Sequence, residues 1–286
     1  YTNYIMNEHL HNNNVPPKSE SNGIYFIIPA AGNSLRYGNK NKIFEKIDNE
    51  QEVDVLESII YLAMCLGIVK KVIVGFNKKS KEIDKYIEAH SVSPSRDIHD
   101  DKMIKNLKKV CFVEGGLTRQ ETVYNCLKFI DENYKNSSNS WVIIHDAARP
   151  CMLVYDLLEF INKTIELNQS SIMALPVADT LKRVKKDKII KETIPREDIW
   201  VAQTPQMFRF KTVFESIRFC IDNNIKITDE SQAIELNGHS CRVHYGRPYN
   251  IKITHEMDIT VAKCIFNHIE RYILEDVEFN SHEDQI

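Results

Sequence analysis

The stretch Ile24-Tyr-Phe-Ile-Ile-Pro-Ala-Ala-Gly-Asn33 decides the fold. A short run of large apolar residues ends at Pro29 and gives way at once to small residues. That reads as a buried strand followed by a tight loop. The same texture recurs downstream: Lys71 to Phe76 (KVIVGF), Val110 to Val113, Trp141 to His145 (WVIIH) and Ser171 to Pro176. Segments of helical character lie between them: Val53 to Cys65, Ser80 to Ala89, Arg119 to Ile130 with Val123, Leu127 and Ile130 on one face, and Tyr155 to Leu167. Near-continuous apolar strands alternating with helices predict an α/β chain with a mostly parallel sheet covered by helices on both faces. Such sheets bind ligands beyond the carboxyl ends of their strands, so the polar segments after those ends are where chemistry is sought.

The rest of the chain frames this core. Residues 1–22 are polar, with an Asn run, and read as a mobile tail. Ser91 to Lys109 is polar and poorly periodic, and Asp131 to Ser140 reads as a loop. Residues 179–203 break the alternation: two weakly alternating segments, Asp179 to Val184 and Lys188 to Ile194, flank a charged turn and predict a protruding β-arm. Phe210 to Asp222 reads as helix, Cys241 to Tyr245 as strand, and Glu256 to Ile273 as a long helix that Thr254 can cap. The predicted organisation is one domain over 23–273 with terminal tails at 1–22 and 274–286. There is no internal repeat.

Composition narrows the function. With 43% hydrophobic and 27% charged residues the chain is ordinary globular material, and a net charge of −3 leaves no overall basic footprint for nucleic acid. Phosphate chemistry must come from a local cluster. The seven Cys form no CxxC pair, which points to free thiols in a reducing compartment. The longest uncharged apolar run, Ile59 to Val69, is too short to span a bilayer. No signal-peptide pattern stands at the front, and because the chain opens on Tyr1 a removed targeting segment stays open.

Three motifs follow strand ends. Pro29-Ala-Ala-Gly-Asn33, with Arg36 and Lys42 close behind, offers small residues and backbone N–H groups that can cradle phosphate, plus two cations. It is neither a P-loop nor a dinucleotide fingerprint, since GxxxxGK[ST] and GxGxxG are both missing. Gly115-Gly-Leu-Thr-Arg119, leading to Thr122, suits recognition of a flat base by backbone groups, although a turn capping the next helix is the blander alternative. His145-Asp-Ala-Ala-Arg149-Pro150 places a carboxylate at a strand end beside small residues, a natural Mg²⁺ ligand. A single His in that position is more often a hydrogen-bonded structural residue. Asp179-Thr180, Arg196 and Asn250-Ile-Lys252-Ile-Thr254 complete the set.

Taken together, PAAG…R, GG…R…TV, HDAARP, the TLKRV arm, AQTPQ (Ala202 to Gln206), TDE and NIKIT resemble the 2-C-methyl-D-erythritol 4-phosphate cytidylyltransferase family from Ile24 to about Lys263. The resemblance implies a three-layer α/β/α, Rossmann-like nucleotidyltransferase fold. It also implies a reaction that joins CTP to methylerythritol phosphate with Mg²⁺ or another divalent cation. By that resemblance Arg36, Lys42 and Lys252 serve the transition state. Pro29, Ala30, Ala31, Gly32, Asn33, Gly115, Gly116, Leu117, Thr122 and Ala147 hold the nucleotide. Asp146, Arg149, Thr180, Arg196 and Lys252 contact the substrates, and Asp146 holds the metal. The partners implied are CTP, methylerythritol phosphate and a second copy of the chain joined through the 179–203 arm, which brings Thr180 and Arg196 to the partner's site. No nucleic acid and no membrane are expected. Ser34, Asn41, Ile43 and Leu117 depart from the usual pattern of the two nucleotide loops.

Rival readings are a pentitol (ribitol) 5-phosphate cytidylyltransferase, a sugar-nucleotide uridylyltransferase and a non-catalytic CTP-binding module. HDAARP and TLKRV disfavour the first, NIKIT the second, and the joint presence of Arg36, Lys42, Asp146 and Lys252 the third. Abundant Lys, Asn and Ile, taken with this pathway, suggest the plastid (apicoplast) stroma of an apicomplexan type, with a bacterial cytoplasm as the alternative.

Overall fold

A computed structural model describes residues 23–32, 37, 41–48, 52–90, 109–135 and 137–268. The predicted tails, residues 91–108, and Asn33, Ser34 and Arg36 of the first loop lie outside the described residues.

The strands are β1 (Ile24–Pro29), β2 (Lys46–Asp48), β3 (Val53–Asp54), β4 (Val69–Phe76), β5 (Val110–Glu114), β6 (Trp141–Ile144), β7 (Ser171–Pro176), β8 (Leu181–Val184), β9 (Ile190–Ile194), β10 (Trp200–Arg209) and β11 (Arg242–Tyr245). The helices are α1 (Val55–Cys65), α2 (Glu82–His90), α3 (Arg119–Asn133), α4 (Val154–Leu167), α5 (Phe210–Asp222), α6 (Glu230–Leu236) and α7, helical over 256–268. Seven strands form the central sheet in the order β11-β7-β10-β6-β1-β4-β5. Only β10 runs against the others, paired antiparallel with both β6 and β7. The expected mostly parallel sheet is therefore present.

Alternation along β1 shows why both faces are covered. Phe26 and Ile28 point into a core shared with Leu56, Ile59 and Ile60 of α1 and Leu157 and Phe160 of α4. Tyr25 and Ile27 point the other way, onto Val123 and Leu127 of α3 and Val213 and Ile217 of α5. Each buried Ile, Leu or Phe side chain contributes about 1.5–3 kcal/mol over its exposed state. A third cluster packs Ile253, Ala262 and Phe266 against Ala148, Cys151 and Ile47. It fastens the C-terminal helix beside the segment after β6 and so fixes where the neighbouring Lys252 emerges.

The structure departs from the sequence reading in several places, among them β10 (Trp200–Arg209), which was not read as a strand. The arm is shorter than 179–203: β8 and β9 pair with each other alone, but Trp200 to Ala202 join β7 in the central sheet. The short paired strands β2 and β3 and the helix α6 were not anticipated. Thr254 does not cap α7 with its side chain. Its hydroxyl donates to the Lys252 carbonyl, and the Asp258 carboxylate accepts the Thr254 and His255 N–H groups at 2.7 and 2.8 Å. A carboxylate has more acceptor capacity than a hydroxyl and can satisfy two orphan donors at once.

Candidate active site

The strands β1, β5 and β6 deliver their following loops to one edge of the sheet. Backbone hydrogen bonding continues past each strand, from Ala30 N to Gly75 O, Gly115 N to Phe76 O and His145 N to Ile27 O. The loops therefore leave the sheet in fixed register. Between them lies a cleft of about 320 Å³ lined by Pro29, Ala30, Ala31, Gly32, Lys42, Gly116, Leu117, Thr118, Arg119, Thr122, Asp146, Ala147 and Lys252. Gly115 is required where it stands. A Cβ there would lie 2.6 Å from the Ala31 Cβ, so a side chain would push apart the two loops that form the cleft.

The loop before α3 is held in place by its own hydrogen bonds. Thr118 and Glu121 form a reciprocal capping box. The Leu117 and Thr118 N–H groups donate to the Glu121 carboxylate at 2.7 and 3.1 Å. The Gly116 N–H donates to the Thr122 hydroxyl, which in turn donates to the Thr118 carbonyl. Thr122 is thus buried and shapes the loop, whereas Leu117 stands fully in solvent.

Asp146, just past β6, is the centre of charge. Its Oδ1 accepts from Arg119 Nε at 2.9 Å and its Oδ2 from Lys252 Nζ at 2.6 Å, with Arg149 Nε 3.8 Å away. Burial disfavours its charge, but Arg119, Lys252 and Arg149 hold the carboxyl well below the usual carboxylate range. It remains ionised at any working pH. Lys42 Nζ donates to the Ile253 carbonyl at 2.6 Å, so the first loop and the NIKIT segment meet.

Behind Asp146 the scaffold is fully buried. The Asp146 N–H donates to the Thr204 hydroxyl at 3.0 Å, and that hydroxyl lies 3.2 Å from His145 Nδ1. His145 Nε2 lies 3.0 Å from the Arg149 carbonyl. A carbonyl only accepts, so Nε2 carries the proton and Nδ1 accepts from Thr204. Burial pushes the imidazole down to about 4, which keeps it neutral. His145 is the structural residue that the sequence favoured. Arg149 donates through Nη1 to the Asn250 carbonyl, and Asn250 Nδ2 donates to the Thr204 carbonyl, both at 2.7 Å.

A second cleft of about 220 Å³ adjoins the first. Arg119, Asp146 and Lys252 line both; Arg149, Gln203, Thr204, Gln206, Thr228 and Asp229 line the second alone. Arg149 Nε is buried there without a hydrogen-bond partner, a donor that suits an anionic ligand. Thr180 and Arg196 line neither cleft. Arg196 lies on the surface and donates to the Ala178 carbonyl.

The sequence reading named neither Arg119 nor Glu230 as a site residue. Both were in view, as the Arg of GG…R and the Glu of TDE, but only the folded chain reveals that the two pair.

The family model described as IspD, 2-C-methyl-D-erythritol 4-phosphate cytidylyltransferase, matches residues 24–268. The chain belongs to this family. This cytidylyltransferase is 33% identical over 258 residues to the 2-C-methyl-D-erythritol 4-phosphate cytidylyltransferase of Acinetobacter baumannii (strain SDF), covering 90% of this chain and 97% of that protein. It is 34% identical over 249 residues to the protein of the same name from Wigglesworthia glossinidia brevipalpis, covering 86% and 97%. Among solved structures, the Francisella tularensis 2-C-methyl-D-erythritol 4-phosphate cytidylyltransferase superposes with a TM-score of 0.66 at 30% identity, covering 85% of this chain and 99% of that one. The cytidylyltransferase fold and family expected from the motifs are thereby established.

Proposed function

We propose that the two clefts are halves of one cytidylyl-transfer site. CTP takes the larger and 2-C-methyl-D-erythritol 4-phosphate the smaller, giving 4-diphosphocytidyl-2-C-methyl-D-erythritol and pyrophosphate. The observation that carries this is the wall between them: one buried carboxylate, Asp146, contacted by Arg119, Lys252 and Arg149.

The acceptor phosphate is already largely ionised at neutral pH, so its oxygen attacks the α-phosphorus without a general base, and the bond to pyrophosphate breaks. The obstacle is repulsion between two anions, and the protein's task is positioning and charge neutralisation. Lys252 and Arg119 sit where the reacting phosphates meet, and Lys42 approaches from the triphosphate side. Each such donor can be worth ~2.7–4 kcal/mol in the transition state.

Asp146 is the carboxylate that would hold a divalent cation. Mg²⁺ commonly takes one or two carboxylates and fills its remaining positions with substrate phosphate and water. Asp146 is ionised and is the only acidic side chain among the described residues lining the larger cleft. No cluster of three or more metal-ligating side chains stands among the described residues, which suits a cation that arrives with CTP. When bound, it would neutralise triphosphate charge.

The arm supports a homodimer in which Thr180 and Arg196 act at the partner's acceptor cleft. Val184, Ile189 and Ile190 are exposed on it, and a two-stranded ribbon alone is marginal in water. The Lys-, Asn- and Ile-rich composition supports a plastid setting. Among the described residues no helix is long and apolar enough to cross a membrane.

The test is pyrophosphate release with CTP and, in parallel, methylerythritol phosphate or ribitol 5-phosphate as acceptor. Turnover with the first and at most a trace with the second is expected. Equal or greater turnover with ribitol 5-phosphate would overturn the acceptor assignment.

A further inference from the structure

Arg119 is the first residue of α3, and its guanidinium reaches two carboxylates. Nε donates to Asp146 Oδ1 at 2.9 Å, while Nη1 and Nη2 donate to the two oxygens of Glu230 at 2.6 and 3.0 Å. Glu230 is wholly buried. A carboxylate is seldom buried without a partner, and this two-point pairing fixes the plane of the guanidinium as well as its place. Glu230 is itself fixed: it opens α6 behind the N-cap Asp229, and Gln206 of β10 grips that turn, donating to Asp229 and accepting the Ser231 N–H. The anchor therefore belongs to the sheet rather than to a loose loop.

The consequence lies in what Arg119 does not do. A guanidinium next to an ionised carboxylate favours a two-point fork onto it. Here Glu230 takes that fork, and Asp146 receives a single N–H. Of the five N–H groups of Arg119, three are used by the two carboxylates, leaving two. Asp146 likewise keeps acceptor capacity beyond its bonds to Arg119 and Lys252.

We propose that Glu230 is a positioning residue: by holding Arg119 from behind, it stops the guanidinium from closing on Asp146 and leaves it facing substrate phosphate at the seam of the two clefts. This rests on the reading of those clefts as the cytidylyl-transfer site. Glu230 touches no substrate, so its effect passes through Arg119.

Glu230→Gln keeps the length of the side chain, removes its charge and sets an N–H against the guanidinium. Loss of an outer partner that orients a metal ligand costs about 10–100-fold in affinity or activity, and the same scale serves here for a partner that orients a guanidinium. We expect kcat to fall by about that factor, with the KM for CTP changed less than about threefold. Glu230→Asp, which keeps the charge but shortens the reach, should show the same pattern more weakly and guards against a Gln variant that does not fold. Arg119→Lys keeps the charge and loses the fork. Combined with Glu230→Gln it should lose no more than the worse single variant, because the two act as one unit. Folded variants with unchanged kcat, a loss confined to KM, or losses that multiply in the double variant would each overturn the proposal. Wild-type turnover in the same assay separates the two levels. If the wild type makes no pyrophosphate from CTP and methylerythritol phosphate, the site reading falls and this inference with it; if the wild type turns over and Glu230→Gln matches it, only the inference falls.

Discussion

Acidification should unsettle this protein through His145 before it protonates Asp146. His145 is completely buried, its Nε2–H bonded to the Arg149 carbonyl and its Nδ1 accepting from Thr204. Its pKa is held at about 4 against an ordinary 6.5, first by burial. The unfolded chain therefore takes up the proton more readily than the folded one. The stability contributed is fully present above about pH 6.5 and is lost as pH falls toward 4. The full difference is worth about 3 kcal/mol, of which about 2 kcal/mol is gone by pH 5. For a chain of this size that corresponds to a melting temperature lower by about 4–8 °C. His145→Gln supplies the control, since an amide can still donate to the Arg149 carbonyl and does not titrate in this range. Urea unfolding of both proteins, followed by circular dichroism from pH 7.5 to 5 without nucleotide or added divalent cation, isolates the effect. The wild-type advantage should shrink by about 2 kcal/mol over that interval. A constant gap would refute the argument, because it would mean that His145 titrates alike in the folded and unfolded chain.

Asp146→Asn should cut pyrophosphate release by at least about 10²-fold and lower the melting temperature as Lys252, Arg119 and Arg149 lose their shared counter-charge; near-normal turnover at limiting Mg²⁺ would remove Asp146 from the metal role. Lys42→Met should lower kcat more than it raises the KM for CTP, and steady-state kinetics with a change in KM alone would reduce Lys42 to a ground-state contact. If Arg196 acts across a dimer, mixing Arg196→Ala with Asp146→Asn should restore part of the activity that each lacks alone, since one site of each mixed dimer carries both native residues. No recovery in demonstrated heterodimers would place Arg196 in its own subunit or outside the reaction.

The order of strands and helices was readable because the core strands are buried on both faces. Val142 to Ile144 and Val72 to Val74 are near-continuous apolar runs, and the structure buries every one of them. β10 was harder to read. Gln203, Thr204 and Gln206 are polar residues inside a strand, and they look like loop material until their partners are known: Gln203 bonds Arg247, Thr204 bonds Asp146 and Gln206 bonds Asp229. The site divided along the same line. Asp146 and Lys42 stood out because each sits in a compact motif that follows a strand end, whereas Lys252 stood out only through the family resemblance of its NIKIT segment. The Arg119–Glu230 pair joins residues 111 apart in sequence, and a contact of that separation leaves no local periodicity to detect.

The thinness of the wall between the two clefts has a pharmacological consequence. Arg119, Asp146 and Lys252 border a volume of about 320 Å³ on one side and about 220 Å³ on the other. A single molecule that spans both, with an uncleavable linkage in place of the α-phosphate, loses its translational freedom once while gaining the contacts of two ligands. Such a compound would bear anionic groups for Lys252 and Arg149 at its waist and small polar groups for Gln203 and Thr228 at one end. It would exclude both natural substrates at once, so each of them would compete with it for the enzyme.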